Sequence, residues 1–153
     1  MKRYGFSLLL LALMIVLSSC DGVRSIYLEA RETIPPTFSA TGNDWITGLE
    51  VEVFPQNESL AGVGQAKGET IWKITAPKEI WATDWPLITY GHIPDGFSQM
   101  VPAQGQPPDL IEGRIYVARP FDRKGPQGSS YFAIRGGKTV NVTGEVGHLG
   151  RGQ

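Results

Sequence analysis

Cysteine is almost absent from this chain: Cys20 stands alone among 153 residues. No second cysteine exists to pair with it inside the fold. Histidine is nearly as scarce, with only His92 and His148, whereas a zinc site usually takes three or four protein ligands. Blocks of like charge are also missing. The formal charge is −1 and charged side chains are spread along the chain, which gives no electrostatic case for nucleic acid or for an anionic lipid surface. No apolar run approaches the roughly 20 residues that a spanning helix needs. Long helical periods and internal repeats are lacking, and no shift in composition marks a second domain.

What is present begins at the first residue. Lys2 and Arg3 form a basic head, and Phe6 to Leu17 is a nearly unbroken apolar run. Small residues follow, ending in Ser18, Ser19 and Cys20. A charged start, an apolar stretch of about 7–15 residues and a small-residue cleavage site mark an export signal. The alternatives are an uncleaved membrane anchor and a soluble exported protein cut after Ser19. The apolar run is short for the first, and Asp21 and Arg24 end it at once. Against the second stands an unpaired cysteine in an oxidising compartment.

Leu17, Ser18, Ser19 and Cys20 resemble the lipobox of bacterial lipoproteins. The resemblance implies cleavage after Ser19, with Cys20 lipidated as the first mature residue. It also implies that cysteine-based metal or redox chemistry is closed to the acylated residue. Asp21 resembles the sorting residue that holds enterobacterial lipoproteins in the inner membrane. The expected address is therefore the bacterial cell envelope, on the periplasmic face of the inner membrane, with the outer membrane as the alternative.

Removal of residues 1–19 leaves 134 of the 153 and, with Lys2 and Arg3 gone, a charge of −3. That length suits one domain with its own core. All eleven prolines lie beyond the signal, and glycine is abundant. Together with alternating apolar and polar residues, this predicts short strands separated by many turns. The expected strands are 23–29, 49–53, 71–75, 87–90, 115–118, 130–134 and 138–142. Pro77 and Pro86 would confine 78–84 to one helical turn. The division is then signal 1–19, tether 20–22, an all-β antiparallel sandwich over 23–143, and a fraying tail 144–153. For the last hairpin, a three-residue loop of Arg135, Gly136 and Gly137 would pair Phe132 with Val140. That register keeps Ile134 and Val142 on the same apolar face.

Leu110, Gly113 and Tyr116 match the spacing of the tyrosine corner in immunoglobulin-like and fibronectin type III sandwiches. In that family the tyrosine hydroxyl bonds back to the backbone between two strands. Glu112 stands here where proline is usual. The resemblance implies architecture, not activity.

Recognisable catalytic groups are few. Gly62, Val63, Gly64 and Gly68 miss the spacing of the dinucleotide fingerprint, and Lys67 lacks the glycine that a phosphate loop places before it. Ser129 and Ser130 follow Gly128 without the second glycine of a hydrolase turn. Asp109, Glu112 and Asp122 fall near turns, and His92 with Asp95 offers too few ligands for a metal. The aromatics say more. Trp72 reads as core, whereas Trp81 and Trp85 sit among loop-like residues as either a cap on the core or an exposed surface.

The expectation is a membrane-anchored lipoprotein without a cofactor, acting as a non-catalytic accessory or binding module, as in a subunit of an envelope assembly. One alternative is a carbohydrate- or peptidoglycan-binding module using Trp81 and Trp85. The other is a small envelope enzyme. A tether of only Asp21 and Gly22 would hold the domain within roughly 10–15 Å of the headgroups. It favours a membrane-associated partner that meets the end nearest residue 23, or a flank.

Overall fold

The computed structural model describes residues 25–55 and 68–149. The signal 1–19, Cys20, Asp21, the tether and the Gly-rich connection 56–67 lie outside the described residues. Among the described residues no helix is long and apolar enough to cross a membrane.

Ten strands follow one another along the chain: β1 (Ile26–Arg31), β2 (Thr37–Gly42), β3 (Trp45–Val53), β4 (Glu69–Trp81), β5 (Ile88–Thr89), β6 (Ser98–Val101), β7 (Ile115–Asp122), β8 (Gly125–Pro126), β9 (Ser130–Arg135) and β10 (Lys138–Asn141). One helix, α1 (Thr143–Leu149), closes the described chain. Strand order is β1-β2-β5 in the small sheet and β10-β9-β7-β3-β4-β6 in the large one, with β8 paired to β7. All pairings between these strands are antiparallel. The two sheets pack face to face as a sandwich.

Alternation explains which side chains meet. In β1, Ile26, Leu28 and Ala30 point inward while Tyr27, Glu29 and Arg31 point out. Phe38 from β2 and Ile88 from β5 complete the inner face of the small sheet. Leu49, Val51, Trp72, Ile74, Tyr116 and Phe132 oppose them, all buried. Phe132 links the layers: its ring stacks on Tyr116 at 5.3 Å and meets Phe38 at 5.6 Å. The outer face of β3 is only partly exposed. Glu50 is buried against Lys73, its direct cross-strand partner, at 3.0 Å, and Lys73 Nζ lies 4.4 Å over the Phe121 ring. Glu52 accepts from Arg119. Elsewhere on that face, Phe54 and Val117 form a second apolar cluster, over which Val146 of α1 packs.

Three expectations change. Residues 78–81 do not form a helical turn, because β4 runs on to Trp81 and a 3-10 turn, Ala82–Asp84, follows it. Pro77 is tolerated because the β3–β4 register shifts between Ile46 and Gly48, opposite it. Gly144 is not the start of a free tail: α1 begins at Thr143, whose hydroxyl accepts from the Tyr131 amide at 2.9 Å.

The last hairpin also departs from the expected three-residue loop. Thr139 pairs with Ile134 and Asn141 with Phe132, leaving Gly136 and Gly137 as a two-residue turn. Both glycines have positive φ, 60° and 68°, as a mirror-image turn requires. The polar residue that the apolar pattern would turn outward is the reason. Thr139 is fully buried, and its hydroxyl donates to the Thr33 carbonyl at 2.6 Å. Thr139→Val should therefore leave that carbonyl unpaired and cost about 1–3 kcal/mol in a urea melt. Val140→Thr, on the other face, should cost less than half as much. Equal costs would restore the three-residue loop.

Candidate functional site

One end of the sandwich is built from four loop segments that hold each other in place. They are the β1–β2 loop, the start and the end of the long connection between β5 and β7, and the β9–β10 turn. The Tyr90 amide donates to the Pro36 carbonyl at 2.9 Å, tying β5 to the first loop. The Tyr90 hydroxyl donates to the Pro108 carbonyl at 2.8 Å. Thr139 fastens the first loop to β10 through Thr33. The Gly113 amide donates to the Ile134 carbonyl at 2.8 Å.

Glu112 accounts for its own departure from the tyrosine-corner pattern. Its carboxylate accepts from the Gly136 and Gly137 amides at 2.6 and 3.3 Å, clamping the β9–β10 turn. Gly113 beside it has a φ of 77°, a backbone conformation that favours glycine. The Tyr116 hydroxyl accepts from the Ile111 amide at 2.7 Å.

These connections enclose a cleft of about 600 Å³. Ile34, Pro35, Pro107, Leu110 and Ile134 give it apolar walls, and His92, Gln106 and Asp109 supply polar edges. Three isoleucines stand exposed at this end: Ile34 at 55%, Ile93 at 39% and Ile111 at 53%. Each sits at a loop beside a turn-forming residue, namely Pro35, Pro94 or the Glu112-Gly113 pair. An aliphatic side chain at a loop tip was the available sequence signal, and alternation could not reveal it.

Burial is the main reason that the Tyr90 hydroxyl titrates well above the ordinary tyrosine range, with Tyr116 and Asp109 adding to the effect. Burial likewise raises Tyr116, against the Ile111 hydrogen bond and the Arg114 charge. Both folded-state values lie above the unfolded one, so the stabilisation is complete below about pH 10. It should be lost as the pH climbs beyond that, toward the folded values. Denaturant melts across the alkaline range should show falling stability, with a shallower fall in Tyr90→Phe. Identical slopes in the two proteins would contradict this.

The other residues that the sequence singles out are dispersed. His92 is on the cleft edge, and among the described residues no cluster of three or more His, Cys, Asp or Glu side chains could hold a metal. Asp122 accepts from the Lys124 and Gly125 amides within a turn. Ser130 is buried, and Ser129 accepts from Arg119.

Trp72 is fully buried and its indole donates to Gln99. Trp81 and Trp85 do not share a surface. Trp85 is buried, 7% exposed, edge-on to Phe97, because the 3-10 turn folds it back onto the core. Trp81 instead packs edge-to-face on Trp45 at 5.1 Å. Compared with known proteins, the chain matches no family model, no curated protein and no solved structure.

Proposed function

We propose that this chain is a bacterial envelope lipoprotein, anchored through Cys20, whose sandwich is a non-catalytic binding module. Its partner is a membrane-associated protein that inserts an apolar segment into the cleft. The observation that carries this reading is the apolar cleft with its exposed isoleucines, held open by hydrogen-bonded loops. A pre-formed apolar concavity with a few polar groups at its edge is the usual form of a binding site. Exposed aliphatic side chains gathered around it suit a protein partner.

An immunoglobulin-like architecture is part of the proposal. The order β1-β2-β5 parallels strands A, B and E of that family, and β9-β7-β3-β4 parallels G, F, C and C′. Tyr116 then stands near the start of strand F, where the family keeps its corner tyrosine. The strand β10 is an addition beyond that order. The cleft lies at the far end of β1 from Ser25, about 20 Å along a six-residue strand. The partner would therefore stand above the membrane surface, rather than meet the near end that the short tether favoured.

A photo-crosslinking side chain at Ile111 should form a discrete adduct in intact envelopes, and Ile34→Glu should abolish it. The same crosslinker at Met100, exposed on β6 and not part of the cleft lining, should not give that adduct. An Ile111 adduct that survives Ile34→Glu would refute the cleft as the docking site.

A further inference from the structure

We infer that the opposite end of the sandwich is a membrane-contact surface, with Trp45 and Trp81 seated among lipid headgroups. The inference rests on the anchor at Cys20 proposed above. Ser25 is fixed to this end: its amide donates to Asn43 Oδ1 at 2.8 Å, and the Asn43 amide donates to the Ser25 carbonyl at 3.1 Å. Trp45 follows two residues later, at the start of β3. Trp81 is its direct cross-strand partner at the end of β4. The two rings meet at 78°, and Trp45 remains 45% exposed. Tyr27, 68% exposed, points outward from the small sheet one residue into β1.

Reach allows these rings to meet the bilayer. The five residue steps from Cys20 to Ser25 span at most about 18 Å. Each headgroup layer is about 5–8 Å thick. A lipid-held Cys20 thus keeps the Ser25 end within about 18 Å of the lipid attachment, close enough for the headgroups to be in reach.

Chemistry selects the occupant. Of the exposed large apolar side chains, Trp45 and Tyr27 lie near Ser25 and Ile34, Ile93 and Ile111 around the cleft, while Leu87 precedes β5 and Met100 is on β6. Tryptophan and tyrosine, with an apolar body and a polar edge, concentrate at membrane–water interfaces. Charge does not supply the attraction. Lys78, Arg123 and Lys124 at this end are outnumbered by Asp44, Glu79, Asp84 and Asp122, and Arg123 is already paired with Glu79 at 3.0 Å. The contact should therefore be insensitive to salt.

The test uses the acylated full-length mature protein in phosphatidylcholine vesicles whose acyl chains carry bromine near the headgroups. Bromine quenches a nearby indole, so tryptophan emission should fall relative to unbrominated vesicles, equally at low and high salt. Trp45→Phe should clearly lessen that loss, Trp81 accounting for the remainder, with its thermal melt unchanged because the ring is half exposed. Unquenched emission from protein that floats with the vesicles and carries its acyl mass would overturn the contact alone. Quenching undiminished in Trp45→Phe would overturn it too. Protein without acyl mass that fails to float would overturn the anchor, and the contact with it.

Discussion

Truncation of Phe132 to alanine should remove about 3–5 kcal/mol of stability. The whole domain is expected to have only about 5–15 kcal/mol. Phe132 is fully buried and touches Tyr116 within its own sheet and Phe38 across the core. Its loss leaves a void between layers that β-sheet backbones cannot easily close, so the cavity adds to the lost transfer energy. Urea melts should show a lower midpoint with an unchanged slope. Truncation of exposed Met100 should stay within about 0.5 kcal/mol. If the two variants melt alike, Phe132 does not join the sheets.

The sandwich was legible where burial and chemistry agreed along the chain. Leu49, Val51 and Val53 alternate cleanly, and β3 forms there. Phe132 and Ile134 likewise mark β9. The strand β2 was not legible, because Thr37, Ser39 and Thr41 surround its buried residues, Phe38 and Ala40. The strand β6 lay within a proline-rich stretch that reads as loop, yet Gln99 pairs with Ile74 and receives the Trp72 indole bond. In the last hairpin the polar label of Thr139 hid a buried hydroxyl whose partner, Thr33, is 106 residues away. Local pattern carries no information about such a partner. The cleft was hidden for the same reason, since its walls come from loops brought together only by the sheet order. A motif marks Leu110 and Tyr116, whereas none marks Ile34 or Ile93.

Replacement of Cys20 by serine should have the largest effect on where the protein is found. Lipidation requires the thiol, so the variant should leave the membrane fraction or accumulate as uncleaved precursor. Each buried methylene contributes about 0.8 kcal/mol, and two or more chains anchor stably where a single chain is marginal. The surface around Trp45 would not replace that anchor: a few interfacial rings orient a tethered domain but do not retain a free one. Metabolic labelling with a fatty-acid probe should mark the parent and leave Cys20→Ser unlabelled. Labelling that persists in the serine variant would remove the case for a lipoprotein.

Whether a lipid on Cys20 holds this sandwich to the envelope can be read from the intact mass of the protein extracted from membranes. The chain should begin at Cys20 and be heavier than its sequence by a diacylglyceryl group and an amide-linked acyl chain. A chain that begins at Met1, or one that begins at Cys20 without added mass, would contradict it.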